Sequence, residues 1–202
     1  MLIKSYCPDQ EFKAFLFDFD GTIADTMGAH LSSWNKALEI YNVSISREQH
    51  FSWAGRPSRQ ILQLVNELHG LNIDADSFMK GKEVHYLALL DQVLPVTPVV
   101  DIIRHYADRT PMAIVSGGRR KMVQRVLKHL ALEKHFNILI CAEDYTNGKP
   151  DPEGFLKAAG LLSVDPRDCL VFEDAPLGIE AARRAGMTCL KVETSTGKIV
   201  RI

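Results

Sequence analysis

The chain has 202 residues, 46% of them apolar and 24% charged, with a formal net charge of -1. This is ordinary globular composition, enough for a sizeable buried core. Charges of both signs are interspersed rather than blocked, which gives no support to a nucleic-acid or anionic-membrane partner. No window approaches the roughly 18 consecutive apolar residues of a membrane span. Met1 to Phe12 holds charges and a proline instead of the apolar core of a signal peptide, so the expectation is a cytoplasmic protein. Cys7, Cys141, Cys169 and Cys189 lie far apart, without a C-x-x-C pair. They read as reduced core thiols rather than disulfides or metal ligands.

The first element is an apolar run, Ala14 to Phe19, that ends abruptly in Asp18, Asp20, Gly21 and Thr22. It reads as a buried parallel strand opening into a loop at its C-terminal tip. From Thr26 to about Pro95 only helical periodicity is visible, with Trp34, Leu38 and Tyr41 on one stripe and Ile61, Leu62, Val65 and Leu68 on another. Asp74 to Asp91 reads as a further helix, ended near Pro95 and Pro98. A helical block of this length after a first strand looks like an inserted second domain.

Beyond Pro98 strands and helices alternate. A helix over Val99 to Tyr106 precedes the strand Met112 to Ser116, followed by Gly117 and Gly118. A helix from Arg119 gathers Met122, Val123, Val126, Leu127 and Leu130 on one face. The strand Ile138 to Ala142 leads to a loop with Lys149-Pro150-Asp151-Pro152, and a helix runs from Glu153 to Leu162. The strand Cys169 to Phe172 ends in Glu173 and Asp174; Pro176 suits the first position of the next helix and Gly186 its end. A last strand, Thr188 to Val192, precedes what reads as a polar tail. Such alternation implies right-handed crossovers and a parallel sheet covered on both faces, with all strand C-termini along one edge. That edge collects Asp18, Asp20, Ser116, Lys149, Glu173 and Asp174.

Paired carboxylates at a strand tip suit phosphoryl transfer: one can attack phosphorus while the other handles the proton of the departing alkoxide. An N-cap or turn aspartate before glycine is the competing reading of this pair. Ser116 and the amides of Gly117 and Gly118 can donate to phosphate oxygens. Lys149 can supply a cation, or be a solvated loop lysine. Asp174 and Asp18, with a backbone carbonyl near Asp20, make an all-oxygen set that favours Mg²⁺. Glu173 is either an additional ligand or a cap for the next helix, and Asp151 reads as a helix N-cap.

Asp18-Phe19-Asp20-Gly21-Thr22, Ser116, Lys149-Pro150-Asp151-Pro152 and Glu173-Asp174-Ala175-Pro176-Leu177-Gly178, in this order and at strand ends, resemble the haloacid dehalogenase superfamily over nearly the whole chain. The resemblance implies an α/β Rossmannoid core, residues 1–25 and 96–202, with an α-helical cap inserted over 26–95. It implies Asp18 as the nucleophile that becomes an aspartyl phosphate and Asp20 as general acid, then base. The proximity of an anionic Asp18 is expected to help Asp20 keep its proton. Ser116, Lys149, Glu173 and Asp174 carry over as phosphate, charge and Mg²⁺ residues.

The insert resembles the cap of the β-phosphoglucomutase-like branch. There His30 and Trp34 correspond to its first cap helix, and Gly55-Arg56-Pro57-Ser58-Arg59 to its substrate-specificity loop. The resemblance makes Gly55, Gly117 and Arg59 substrate-contacting, with Arg59 gripping the non-reacting part of the substrate; which of Arg56 and Arg59 faces inward is open. Lys82 falls near a cap lysine of the mutases, though solvated surface charge is its stronger reading. The expected activity is an Mg²⁺-dependent phosphatase of a small phosphorylated metabolite such as fructose 1-phosphate, with no obligatory protein partner. The alternative is a phosphohexomutase. A dehalogenase would have no use for Asp20 as proton donor, and a phospho-accepting signalling module or inactive sensor fits poorly with a basic helical insert and a complete catalytic set.

Overall fold

The computed structural model describes residues 3–7 and 9–202. In chain order the elements are β1 (Ala14–Phe17), β2 (Ala24–Asp25), α1 (Met27–Leu38), α2 (Arg47–Ser52), α3 (Ser58–His69) and α4 (Ala75–Leu87). Then follow β3 (Leu94–Pro95), α5 (Thr97–Tyr106), β4 (Met112–Val115), α6 (Arg120–His129), β5 (Ile138–Ile140), α7 (Glu153–Leu162), β6 (Cys169–Glu173), α8 (Pro176–Arg184), β7 (Thr188–Glu193) and β8 (Lys198–Arg201). One six-stranded sheet has the order β5-β4-β1-β6-β7-β8. All its pairings are parallel except β7 with β8.

β1 is central because both its faces are covered. Phe15 and Phe17 enter a cluster with Ile102, Ile103, Val126 and Phe172 on one side. Ala14 and Leu16 enter another with Phe155, Ala158, Val171 and Ala181 on the other. This is why the strand reads as an unbroken apolar run instead of alternating. Neighbouring strands on both sides leave β1 at a switch in strand order, where clefts form at carboxyl ends.

The insert α1 to α4 has an apolar cluster of its own around Trp34, Leu38, Leu62, Val65 and Phe78. Two expectations are corrected. The stretch up to Pro95 is not wholly helical: β3 pairs antiparallel with β2, so a two-stranded ribbon ties together the chain's exit to the insert and its return. The supposed polar tail contains β8, held by backbone pairing to β7 and by Ile199, which is buried. A single inward apolar residue in four is too little pattern to read as a strand. The helix signals held: Asp74 accepts from the backbone of Ser77, and Pro176 opens α8.

Phe17 is fully buried and stacks on Phe172 at 4.6 Å between ring centroids. Phe17→Ala is expected to destabilise the protein by about 3–5 kcal/mol, measured as a lower urea midpoint by circular dichroism.

Candidate active site

The tip of β1 is fixed by the Asp18 amide, which donates to the carbonyl of Phe172 at 2.9 Å. Its carboxylate accepts from Lys149 Nζ at 2.5 Å, and Lys149 also donates to Glu173 Oε1 at 2.7 Å. All three side chains are buried. The other oxygen of Glu173 accepts from the Ala175 amide at 2.6 Å, at the start of α8. A Cβ at Gly178 would fall 1.7 Å from Glu173 Oε1, so glycine is required for this carboxylate to lie against the helix.

Asp174 closes against the first loop. Thr22 Oγ1 donates to it at 3.3 Å, and a Cβ on Gly21 (φ +94°) would come within 2.3 Å of its Oδ2. Asp18, Glu173 and Asp174 each offer an oxygen within 4.8 Å of the others. Burial, with the negative charges of its neighbours, raises the Asp174 pKa; burial likewise raises that of Asp18, the Lys149 charge offsetting it only in part. Burial also disfavours the Lys149 ammonium, but the adjacent Asp18 and Glu173 outweigh it and the group stays charged.

Asp20 is handled differently. Its Oδ1 accepts from Thr26 Oγ1 at 2.7 Å and sits 3.0 Å from His30 Nε2, while Ser116 Oγ lies 3.5 Å from Oδ2. Lys82 Nζ is 3.3 Å from His30 Nδ1. An ammonium only donates, so the imidazole accepts there and carries its proton on Nε2, toward Asp20. Burial works against the Asp20 anion, yet His30, Thr26 and Lys82 outweigh it and hold the pKa down at about 2. The expectation that Asp20 keeps a proton is therefore reversed here: dedicated donors stabilise its anion, whereas Asp18 shares one lysine with Glu173.

The reading of Lys82 as surface charge is also corrected. It is 5% exposed and packs over the rings of Trp34 and Tyr86. Burial brings its pKa down to about 8. Trp34 is buried against Phe78, at 5.2 Å between ring centroids. Asp151, expected as the N-cap of α7, lies one residue before that position, which Pro152 takes; its carboxylate still accepts from the Glu153 amide at 2.9 Å. The four cysteines are free and buried.

Core and insert enclose a cavity between them. Its floor is Asp18, Asp20, Gly117, Gly118, Glu173 and Asp174. Its roof includes His30, Trp34, His50, Gly55, Arg56 and Ser58. Arg56 settles the open question of the two arginines: it lines the cavity, whereas Arg59 is exposed and paired with Asp76. Gly55 and Gly117 meet backbone to backbone, since a Cβ on Gly117 would stand 2.8 Å from the Gly55 carbonyl oxygen. His50 is the roof residue that sequence reading missed. A lone histidine on a short helix carries no local signal of its role.

A parallel α/β sheet whose strand tips bring acidic side chains and a buried lysine under a helical roof defines an enzyme of the hydrolase class. The model described as haloacid dehalogenase-like hydrolase matches residues 15–192, and the chain belongs to that family. It is 34% identical to fructose-1-phosphate phosphatase YqaB of Escherichia coli (strain K12) over 91% of this chain and 97% of that one. It is 31% identical to validoxylamine A 7'-phosphate phosphatase of Streptomyces hygroscopicus subsp. limoneus over 91% and 87%. The crystal structure of β-phosphoglucomutase from Clostridium difficile superposes with a TM-score of 0.81 at 26% identity, covering 90% of this chain and 84% of that chain. Among the described residues no helix is long and apolar enough to cross a membrane.

Burial and the nearby cationic side chains lower the His50 pKa from 6.5 to about 4. The unfolded chain binds this proton below pH 6.5 while the folded chain refuses it down to about 4, so the His50 contribution to stability is lost as pH falls through that window. Between pH 7 and 4.5 the wild type is expected to lose about 2–3 kcal/mol more stability than His50→Leu, measured by urea denaturation of both proteins.

Proposed function

We propose that this protein is a phosphatase that hydrolyses a small phosphorylated metabolite, a sugar phosphate, through an aspartyl phosphate on Asp18. The observation that carries this reading is the placing of Asp18: buried at the tip of the central strand, with one oxygen on Lys149 at 2.5 Å and Asp174 close by. The names of the relatives support the substrate class. A carboxylate oxygen of Asp18 attacks phosphorus and the ester P–O bond breaks. Lys149 keeps Asp18 ionised, while Ser116 and the amide of Gly117 serve the phosphoryl oxygens; the Gly118 amide, expected to join them, instead donates to Ser116 Oγ at 2.9 Å and orients that hydroxyl. The leaving alkoxide takes a proton from Asp20, which then takes one back from the water that cleaves the acyl phosphate.

Asp20 as it stands, ionised between Thr26 and His30, is in the form that activates water. The first half of the reaction requires it to take up a proton beforehand. Residues 26–95 act in this reading as a cap. The cavity beneath them has only about 50 Å³ of free space, against roughly 300–1,000 Å³ for small-molecule sites, so the cap lifts to admit substrate and shuts to exclude water. His30, Trp34, Gly55 and Lys82 form its inner wall.

The acidic cluster fits a hard cation. Its donors are all oxygen, and the raised pKa values of Asp18 and Asp174 are those of buried carboxylates short of positive charge. Asp18, Asp174 and the backbone carbonyl of Asp20 would hold Mg²⁺, which when bound neutralises charge on the phosphoryl group. Glu173 has both oxygens engaged, and we assign it to holding Lys149 rather than to the ion.

The likeness to β-phosphoglucomutase keeps a phosphohexomutase as the second reading. Supplied with hexose phosphates and Mg²⁺, the enzyme is expected to release inorganic phosphate faster than it forms an isomeric hexose phosphate, even with a trace of hexose bisphosphate present. The reverse order would establish the mutase. Asp18→Asn is expected to lower turnover at least about a thousandfold with an unchanged circular dichroism spectrum; retained phosphate release would remove Asp18 from the nucleophile role. Mg²⁺ is expected to raise the melting temperature of the wild type and not that of Asp174→Asn, read by differential scanning fluorimetry.

A further inference from the structure

Beyond the end of β4 nearly every backbone group is tied down. The Ser116 amide donates to the Ile140 carbonyl at 2.8 Å, and the Ala142 amide donates to the Gly118 carbonyl at 3.0 Å. The Ser116 hydroxyl accepts from the Gly118 amide at 2.9 Å. Between them Gly117 is buried and lines the cavity floor, and its N–H makes no hydrogen bond among the described residues. The peptide that carries this N–H is held from its other end: the Tyr145 hydroxyl donates to the Ser116 carbonyl oxygen at 3.0 Å. That carbonyl and the Gly117 N–H share one rigid plane and point opposite ways, so a bond at one end aims the other.

Such a tie matters at a glycine, which accepts either sign of φ and lets the adjoining peptide turn over at little cost. A larger residue cannot supply the stiffness, because a Cβ on Gly117 would meet the Gly55 carbonyl oxygen at 2.8 Å. Tyr145 itself is firmly seated. Its ring lies against the first turn of α7, where a Cβ on Gly154 would come within 3.5 Å of it. On one side of it in the chain, Asp144 accepts from the Cys141 amide at 2.7 Å. On the other, Glu153 accepts from the amides of Thr146 and Asn147, both at 2.9 Å. Burial raises the Tyr145 pKa to about 12, so the phenol remains a donor throughout the ordinary pH range.

Resting on the phosphatase reading, we infer that Tyr145 is a positioning residue for phosphoryl transfer: its hydroxyl holds the Ser116–Gly117 peptide so that the Gly117 N–H is presented to a phosphoryl oxygen. Tyr145 does not line the cavity and acts through the peptide in front of it. A hydrogen bond accepted by the carbonyl also polarises the peptide and makes its N–H a better donor. Charge spreads over the outer phosphoryl oxygens in the transition state, and a donor fixed beforehand needs no reorganisation to meet it.

Tyr145→Phe keeps the ring and removes only the hydroxyl, so the circular dichroism spectrum is expected to stay unchanged. On the best substrate of a panel of sugar monophosphates, kcat is expected to fall about 10- to 30-fold, less than the roughly 100- to 1,000-fold cost of losing a direct donor. KM is expected to stay within about twofold, and the pH profile to keep its shape. By isothermal titration, orthovanadate, whose five-coordinate form resembles the transition state, is expected to bind about tenfold more weakly, and inorganic phosphate less than about threefold more weakly. In the amide nitrogen–proton spectrum the Gly117 nitrogen, next to the carbonyl that loses its bond, is expected to move while the Lys149 amide stays.

A loop that needs Tyr145 only for its shape gives another pattern: a raised KM, equal losses of vanadate and phosphate, or a displaced Lys149 resonance with Gly117 unmoved. Any of these, or a kcat within about threefold of the wild type, would overturn the inference. If the wild type hydrolyses no ester, yet Tyr145→Phe moves Gly117 and weakens vanadate selectively, the phosphatase reading fails and the positioning role stands. If hydrolysis proceeds and Tyr145→Phe matches the wild type, the positioning role alone fails. Binding of neither anion by the wild type removes both.

Discussion

One buried ammonium between two buried carboxylates organises this molecule. Lys149 reaches from the loop after β5 to Asp18 at the tip of β1 and to Glu173 at the end of β6, at 2.5 and 2.7 Å. Each carboxylate would be costly to bury alone, and removing one member of such a group strands the others at on the order of 3–5 kcal/mol. Every surrounding detail therefore serves to complete it. The Ala175 amide takes the last oxygen of Glu173, Gly178 clears the space for that side chain, and the Phe172 carbonyl fixes the Asp18 amide. The tips of β1 and β6 are thereby tied to the loop that follows β5.

The two aspartates of the first loop differ in proton affinity because they differ in company. Asp18 faces inward, where burial and the charges of Glu173 and Asp20 raise its proton affinity and the Lys149 ammonium offsets them in part. Asp20 turns away along the loop and meets donors supplied largely by the insert: Thr26 at its entry and His30 on α1, backed by Lys82 on α4. The first site is made by the sheet and the second by the roof. Two carboxylates in unlike surroundings bind protons with unlike affinity, so their titrations are separated.

Much of the fold was legible in the sequence because a doubly covered parallel strand announces itself as an apolar run, and its polar end marks the tip. Asp18, Asp20, Ser116, Lys149, Glu173 and Asp174 were placed on one edge by that logic, and the structure gathers them there. The roof was less legible. Helical periodicity says which face of α3 is buried, yet not that Asp76 on α4 would draw Arg59 outward while Arg56 stays inside. Lys82 reads as exposed because a lysine normally is. The aromatic faces of Trp34 and Tyr86, the acceptor nitrogen of His30 and the negative charges of Asp20 and Glu83 make its burial tolerable. His50 had no signal, since its place depends on a cavity wall assembled from distant segments.

The seam between roof and floor explains why so many of its members are glycines. A Cβ on Gly117 would collide with the Gly55 carbonyl oxygen at 2.8 Å, and one on Gly148 with Pro57 at 2.7 Å. Such contacts leave no space for interposed water, so the two parts fit as backbone against backbone. Across the same seam Arg119, beside the floor glycines, pairs with Glu83, the neighbour of Lys82. On the same side of the cavity as Gly55 and Arg56, which lie over Gly117, His30 meets Asp20 with Lys82 behind it. The close fit over Gly117 and the donors that hold Asp20 ionised thus share one contact surface, and a side chain larger than hydrogen at that surface would disturb both together.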